Sequence, residues 1–196
     1  MKEDAEVSPQ NKKLLKYVAG IFGGYPSANR HGDAAGKSFV DVMTAVDSPM
    51  KGISSFSTFG LSDHRNAPGP KGRAVPVEIV GACGVGFKGF DKAISTAAFG
   101  VINSGAYCTR GAIFPDCVGA YGISRTLSHF FFITPCLWSE ELKPWKAGKK
   151  KVTWLLAVPI SDEERRFAEK EGPAKLDRLL EKGRIDIPDL DRKSVV

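Results

Sequence analysis

The chain has 196 residues, of which 42% are hydrophobic and 26% are charged, and its formal net charge is +6. These values are typical of one globular domain with a core of its own. No apolar run approaches the roughly 20 residues that a membrane span needs. The N-terminal sequence MKEDAEVSPQNKK lacks the apolar segment of a signal peptide. We therefore expect a folded, soluble protein of the cytoplasm.

The first third of the chain predicts a helix, a loop and two neighbouring strands. Ser8 and Pro9 form an N-cap and first-turn pair, and apolar residues follow at helical spacing until the Gly-Gly pair at Gly23. The polar stretch 25–37 is predicted to be a loop. Within residues 38–62, two stretches alternate apolar with small or polar residues, which is typical of adjacent strands.

The rest of the chain predicts three more strands and three more helices. Residues 73–83, RAVPVEIVGAC, read as a strand that Pro76 places at a sheet edge or a bulge. A core helix follows over residues 89–103, and the runs HFFFITP and KVTWLLAVPI are typical of strands. Ser161 begins an S-x-x-E capping box that opens a charged helix, and Pro173 opens another.

The elements together predict a single α/β domain, α+β-like, with a mixed, mostly antiparallel sheet flanked by helices. It is expected over residues 8–196, after a flexible N-terminus of residues 1–7. Residues 31–137 carry 9 basic and 7 acidic side chains, whereas residues 138–196 carry 14 and 12. This distribution indicates a core in the middle of the chain and a charged, largely helical cover in its last third.

The stretch GACGVGFKGF, residues 81–90, contains a formal G-x-G-x-x-G match at Gly84, Gly86 and Gly89. In dinucleotide-binding folds, an acidic residue about 20 positions further on holds the ribose. Residues 104–115 contain no acid, so this requirement fails. The favoured interpretation is a connection whose glycines let the helix approach the sheet. A nucleotide-binding or other small-ligand enzyme that uses the Gly84–Gly89 loop stays open as the alternative.

The segment LSDHRN, residues 61–66, collects polar side chains directly after a strand, where binding groups are often found. Neighbouring side chains of an extended segment point in opposite directions, so these residues cannot form a Ser-His-Asp relay by themselves. Glu78, within an apolar strand, is either a buried acid with a raised pKa or a solvated one. The candidate partner-binding residues are Ser62, Asp63, His64 and Arg65.

Other reactive side chains do not form a recognisable centre. His31 and His129 are too far apart in sequence to suggest a metal triad. The sequence therefore assigns no catalytic residue, cofactor or metal. Lysines around Trp145, in residues 143–151, are either a solvated turn or a nucleic-acid contact, and the turn is favoured. The four cysteines, without a C-x-x-C pair, are expected to be reduced and mostly buried: Cys83, Cys108, Cys117 and Cys136.

Several stretches in one order resemble the suppressor of fused-like (SUFU) domain family. They are STFGLSDH (57–64), VEIVGA (77–82), CLW (136–138) and VTWLLAVPISDEERRFAEKEG (152–172). The C-terminal IDIPDLDRKSVV is similar to the tail of small bacterial members. The glycine-rich stretch 81–89 is a departure from the family pattern.

The resemblance implies a mixed-sheet α/β domain without known catalytic residues. Small bacterial members are similar to immunity proteins, or antitoxins, that protect the producing cell from polymorphic toxins, some of them nucleases. Larger animal relatives bind a transcription-factor peptide as an added strand. A cognate polymorphic toxin protein is therefore the expected partner, bound beside its active site or through a sheet edge, with residues 61–66 and 25–37 as rims. The net basic charge argues against nucleic-acid mimicry.

Overall fold

The computed structural model describes residues 7–64, 75–138, 142–148 and 150–196. This part of the chain forms four helices and eight strands around one mixed sheet. The helices are α1 (Pro9–Phe22), α2 (Phe90–Ser104), α3 (Asp162–Glu171) and α4 (Pro173–Lys182). The strands are β1 (Tyr25–Gly32), β2 (Phe39–Val46), β3 (Ile53–Phe59), β4 (Val77–Gly84), β5 (Ile113–Phe114), β6 (Leu127–Ile133), β7 (Trp145–Ala147) and β8 (Lys150–Ser161).

The sheet follows the order β1-β2-β3-β4-β8-β6-β5, and β7 pairs with the start of β8. Strands β1 to β4 form an antiparallel meander. The contact between β4 and β8 is parallel, and β8 continues antiparallel to β6. The sheet is therefore mixed and mostly antiparallel, as the sequence predicts.

Helices cover both faces of this sheet. On one face, here called the α2 face, the central helix packs through Phe90, Ile94 and Ala97 against alternate residues of the strands. On the opposite face, the α1 face, Leu14 and Val18 of α1 share a core with residues of α3 and α4. The sheet is thus the middle of three layers, which is why its central strands carry long apolar runs.

Local sequence signals account for the helix ends. Ser8 Oγ accepts a hydrogen bond from the Asn11 N–H, and Pro9 occupies the first turn of α1. At α3, Ser161 Oγ accepts from the Glu164 N–H while the Glu164 carboxylate accepts from the Ser161 N–H. The capping box that the sequence predicts is therefore present, and it fixes the direction in which α3 leaves β8.

Two predictions about the strands are wrong. Residues 25–32 form β1 instead of a loop, because their main chain pairs with β2 although their side chains are exposed. Strand β4 lies at the centre of the sheet, between β3 and β8, and not at an edge or bulge. Pro76 is compatible with this position because it precedes the strand, where its carbonyl accepts from the Thr153 N–H.

The C-terminal segment connects the two faces of the sheet. Ile187 belongs to the core of the α1 face, whereas Leu190 is buried in the core of the α2 face. Between them, the Pro188 carbonyl accepts a hydrogen bond from the Gly84 N–H at the end of β4. The segment therefore closes over the end of the central strand. Among the described helices, none is long and apolar enough to cross a membrane.

Candidate functional site

The predicted binding segment is a single 3-10 turn, Leu61–Asp63, at the end of β3. Gly60 adopts a left-handed conformation, with φ of 101°, and so turns the chain out of the strand. Leu61 is buried in the core of the α2 face, and His64 is exposed at the end of the turn. Arg65 lies outside the residues that the structure describes.

Ser62 points into the protein and contacts Glu78 of β4. The Ser62 hydroxyl donates to Glu78 Oε1 at 2.6 Å, and the N–H groups of Gly60 and Ser62 donate to the same oxygen at 3.0 and 3.1 Å. The Thr58 hydroxyl donates to Oε2 at 2.6 Å. All four donors are neutral groups. Glu78 is therefore a buried acid that fixes the turn, which decides between the two interpretations of its sequence position.

Burial raises the pKa of the Glu78 carboxyl, although the hydrogen bonds from Ser62, Thr58 and the Gly60 amide oppose this shift. Desolvation outweighs them because removing a carboxylate from water costs more than neutral donors return. A raised pKa in a pocket would suggest a general acid or base. Here Oε1 accepts from Gly60 and Ser62 and Oε2 accepts from Thr58 of β3, so the arrangement is structural.

Asp63 points the other way, towards the surface. Its carboxylate accepts from Lys150 Nζ at 2.6 Å and from Asn11 Nδ2 at 2.8 Å. Partial burial opposes ionisation, but the hydrogen bonds from Lys150 and Asn11 and the charge of Lys150 lower the pKa of Asp63 overall. The turn is thereby tied to α1 and to β8. Because Ser62 and Asp63 face opposite sides, the segment does not form a catalytic relay.

Three main-chain amides of the glycine stretch bond to carbonyls of the chain and do not point to a bound phosphate. The Gly84 N–H donates to Pro188 O, the Val85 N–H to Gly52 O, and the Phe87 N–H to Gly84 O. In a phosphate-binding loop these groups would point at the ligand. The strand order differs too, because β4 is followed by α2 and then by β5 at the far edge of the sheet. The geometry therefore disfavours a nucleotide site.

The favoured interpretation of these glycines is that they let α2 approach the sheet closely. This close approach occurs at Gly81. A Cβ atom at Gly81 would lie 2.9 Å from the Phe90 ring and 3.0 Å from Ile94. Gly89, at the start of α2, has a φ of 87°. Gly86, in contrast, has open space around its Cα.

The lysine-rich stretch forms the hairpin of β7 and β8. Lys150 donates a hydrogen bond to Asp63, and Trp145 packs on Tyr17 of α1 with ring centroids 6.4 Å apart. An aromatic ring that stacks within the protein is less available to stack on a base. This arrangement favours the structural interpretation of the cluster. Lys149 lies outside the described residues.

The histidines and cysteines also have structural surroundings. His129 Nδ1 accepts from the Asp116 N–H, so its Nε2 carries the proton that is donated to Asp162 at 3.0 Å. Within the described ranges, no group of His, Cys, Asp and Glu is arranged to hold a metal ion. All four cysteines are free, and three of them are buried. Burial raises the pKa of the thiols of Cys83, Cys108 and Cys117 to about 12.

Strand β1 is a surface feature that the sequence reasoning missed. Its side chains are exposed except for His31, which is half-buried, and Tyr25 keeps 77% of its surface accessible. Arg30 forms two hydrogen bonds with the carboxylate of Asp41, its neighbour in β2, at 2.9 and 3.0 Å. The sequence does contain one local indication of a hairpin here, the turn residue Asp33. Its carboxylate accepts from the N–H groups of residues 37 and 38 and closes the turn into β2.

The register brings the two predicted rims near one another. Gly32 of β1 is opposite Phe39 of β2, and the pairing of Asp41 with Phe59 places the Leu61–Asp63 turn beyond the same end of β3. Two strand spacings, roughly 10 Å, separate β1 from β3. Phe39, with 54% of its surface exposed, lies between them.

Comparison with known proteins decides the family. The model of the suppressor of fused protein (SUFU) family matches residues 36–193. The chain belongs to the SUFU family. The immunity protein YqcF of Bacillus subtilis (strain 168) is 39% identical over 190 residues, which cover 97% of this chain and 99% of that protein.

Solved structures of SUFU proteins share the fold. A putative SUFU homologue from Neisseria gonorrhoeae FA 1090 superposes with a TM-score of 0.72 at 14% identity, covering 95% of this chain and 96% of that one. The structure of the Sufu–Fu complex gives a TM-score of 0.66 at 12% identity, covering 97% and 93%.

The sequence stretches that resemble SUFU proteins have identifiable structural roles. Thr58, Gly60 and Ser62 of STFGLS hold Glu78 of VEIVGA, so two separate stretches form one buried unit. Ser161 and Glu164 form the capping box. Ser62 thus belongs to the internal architecture of this SUFU domain, while Asp63 and His64 lie at its surface.

Proposed function

We propose that this protein is an immunity protein that binds a cognate protein toxin and neutralises it in the cytoplasm of the cell that makes both. The observation that carries the proposal is the 39% identity to an immunity protein along almost the whole of both chains. Binding without catalysis is sufficient for this role. A toxin with nuclease activity fits the proposal, because nucleases are among the toxins that such proteins counter.

The structure supports binding over catalysis through the way its polar groups are used. Glu78 is enclosed by four donors, His129 is held between Asp116 and Asp162, and three amides of the glycine loop bond to carbonyls of the chain. A general acid, base or nucleophile needs access to a substrate. These groups stabilise the fold instead.

The proposed contact surface includes Asp63, His64 and Arg65, with Ser62 holding the turn from beneath. Asp63 is half-exposed while it contacts Lys150, so its charge stays accessible to a partner. Phe39 adds an exposed aromatic ring at the same end of the sheet. Such a surface, with one apolar residue among polar ones, is typical of protein–protein contacts.

Charge favours binding away from a nuclease's substrate groove. The net charge is +6, and acidic residues of α3 pair with basic residues of α3 and α4, as in Arg165–Glu169 and Lys175–Glu171. A plug for a cationic groove needs an uncompensated acidic face. We therefore expect the toxin to be held beside its active site.

Titration of a purified candidate toxin domain, sought among the products of the neighbouring genes, tests the proposal. Toxin activity should fall to zero at a 1:1 ratio, and surface plasmon resonance should show binding whose association rate depends little on salt. Asp63→Ala should speed dissociation, whereas Glu171→Gln, in a comparable exposed ion pair, should not. Undiminished toxin activity in the presence of excess protein would refute the proposal. Competition by DNA or RNA together with a steep salt dependence would indicate a groove plug instead.

A further inference from the structure

Large apolar side chains are exposed together at one end of the sheet. Within the described ranges eight such side chains are exposed, and four of them lie here: Tyr25, Val46, Met50 and Val85. Tyr25 and Val46 are directly opposite each other in the β1–β2 register, and paired side chains point to the same face. Val42, in the same strand as Val46, belongs to the core of the α2 face. Tyr25 and Val46 therefore lie on the α2 face.

Met50 and Val85 extend this exposed region towards the centre of the sheet. Met50 lies in the turn between β2 and β3, four residues after Val46. The Val85 N–H donates to Gly52 O of the same turn at 3.0 Å, which places the end of β4 beside it. Three strand spacings, roughly 15 Å, separate β1 from β4. The four side chains thus fall within the width of a single protein contact, and they are called the Met50 surface here.

The turn that carries Met50 is anchored to the rest of the protein. The Ser48 hydroxyl donates to Phe22 O at 2.7 Å, and the Ser55 hydroxyl donates to Ser48 O at 2.7 Å. Ser48 is completely buried, whereas Met50, two positions later, keeps 65% of its surface accessible. A turn that is already ordered loses little conformational entropy when a partner binds. The exposed methionine is therefore preorganised for a contact.

We propose that the Met50 surface is the apolar centre of the interface with the cognate toxin and receives a cluster of apolar side chains of the toxin. The proposal rests on the proposed immunity function and names the chemistry by which the partner is held. The surface around Asp63 and His64 is polar, with Phe39 as its exposed aromatic ring. Tyrosine and methionine are enriched at the centres of protein interfaces, inside a polar rim.

One partner is large enough to cover both regions. Strand β1, with eight residues, spans roughly 23 Å. Tyr25 lies at one end of it, and Phe39 is opposite Gly32 at the other. An interface of standard size covers about 800 Å² on each partner and is therefore roughly 30 Å across. Because β1 is the outermost strand, its two ends can be reached from the same side through side-chain contacts alone.

A second copy of this chain fits the Met50 surface less well. The four side chains expose on the order of 400 Å², about half of what each partner contributes to a stable contact. Lys51 and Lys88 are exposed beside them, and Lys88 Nζ donates to Val85 O at 3.1 Å. A two-fold contact would bring the lysines of both copies together, which is unfavourable. The complementary partner has acidic side chains around its apolar cluster.

The methionines provide a direct test with an internal control. The chain has three: Met50 is exposed, Met43 is buried in the core of the α1 face, and Met1 lies outside the described residues. In protein labelled with ¹³C at the methionine methyl groups, a soluble nitroxide should broaden the Met50 signal and leave the Met43 signal sharp. Adding the catalytically inactivated toxin domain should reduce the broadening of Met50 at least about fivefold, because the centre of an interface excludes solvent.

The outcomes separate this inference from the proposed function. If the toxin binds and is neutralised while the Met50 methyl group stays accessible to the nitroxide, this inference is wrong and the proposed function stands. If the toxin does not bind, both fail. Protection of Met50 that grows with the concentration of the free protein would assign the surface to a second copy and would also overturn the inference.

Two variants remove the proposed apolar contact. Met50→Asp places a charge at the centre of the interface and should weaken toxin binding at least about tenfold, mainly through faster dissociation. Tyr25→Ser removes the ring, which is 77% exposed in the free protein, and should weaken binding about tenfold. Met50→Leu keeps the surface apolar and should stay within about threefold of the wild-type affinity.

The matched control is Lys182→Met in the last turn of α4. It lowers the net charge by one, as Met50→Asp does, at an exposed site of a helix that packs on the α1 face. Affinity should be unchanged. An equal loss of affinity in Lys182→Met and Met50→Asp would contradict the proposal. Wild-type affinity of both Met50→Asp and Tyr25→Ser, with normal thermal unfolding, would contradict it as well.

Discussion

Two glutamates, Glu78 and Glu164, are equally buried, but different groups offset the cost of removing their carboxylates from water. Four hydrogen bonds reach each carboxylate. Those to Glu78 come from neutral hydroxyl and amide groups, whereas Glu164 accepts two from the guanidinium of Arg192, at 2.8 and 2.9 Å. The N–H groups of Ser161 and Val195 supply the others.

The comparison shows how one residue type can fix distant segments by two routes. Glu78 holds a turn through neighbours in the sheet, and its raised pKa reflects burial without an opposite charge. Glu164 joins a helix start to the C-terminal segment through a charged partner, so removing that partner leaves a buried charge. The two sites should therefore respond differently to mutation and to pH.

The largest effect is expected for Arg192→Met. This change leaves Glu164 buried without its cation and removes the hydrogen bond to the Pro159 carbonyl. The free energy of unfolding should fall by about 3–5 kcal/mol in urea denaturation. The double variant Glu164→Gln with Arg192→Met removes both charges and should recover part of this loss. If the double variant is as unstable as the single one, packing and not the uncompensated charge explains the loss.

Ser161→Ala, which changes the same site, should have an intermediate effect on stability. It removes the acceptor for the Glu164 N–H and should lower the free energy of unfolding by about 0.5–2 kcal/mol. Ser161 Oγ also donates to Ser194 Oγ, so Ser194→Ala serves as the control for the tail contact. Equal losses in the two variants would show that the cap itself contributes nothing measurable.

Glu78→Gln should remove a pH dependence. The folded-state pKa of Glu78 is raised above its ordinary value of 4.5, so the folded state binds the proton more tightly than the unfolded state does. This contribution to stability is full below pH 4.5 and is lost as pH rises through the folded-state pKa. At pH 4 the variant should match the wild type to within about 1 kcal/mol, because glutamine resembles the protonated acid.

Above pH 4.5 the wild type should lose stability relative to Glu78→Gln. Denaturation of both proteins across this range isolates the residue, because the remaining carboxyl groups are common to both. A difference in unfolding free energy that stays constant with pH would mean that the pKa of Glu78 is the same in both states.

Asp63→Ala should have the smallest effect on stability. Its contact with Lys150 lies at the surface, where such ion pairs contribute about 0.2–1 kcal/mol. A double-mutant cycle with Lys150→Ala measures the coupling. A coupling energy as large as that between Glu164 and Arg192 would mean that exposure to solvent does not explain the difference in strength between the two ion pairs.

The parts of this fold that were predictable depend on local signals. The capping box at Ser161 and the proline at the start of α4 can each be recognised within four consecutive residues. Both helices begin where the sequence indicates. Strand β1 was not predicted because Tyr25–Gly32 is mostly polar and its side chains are exposed except for His31. No alternation of apolar residues exists there to be recognised.

The candidate site was predictable in part, for a related reason. The position of LSDH after a strand was correctly inferred, but the segment forms a 3-10 turn and not the extended stretch that the sequence analysis assumed. The inward direction of Ser62 depends on Glu78, 16 residues away, and the anchoring of Asp63 depends on Lys150, 87 residues away. Contacts over such separations are set by the strand order, which local patterns do not contain.

The four free cysteines make the protein suitable for labelling at one place. A thiol with a pKa of about 12 is almost entirely protonated at neutral pH, and Cys83, Cys108 and Cys117 are also buried, so maleimides and mild oxidants should not modify them in the folded state. Cys136 is exposed and follows β6, five strand spacings from β1 and so on the order of 24 Å away. A dye attached to the native protein would therefore label one position, remote from β1.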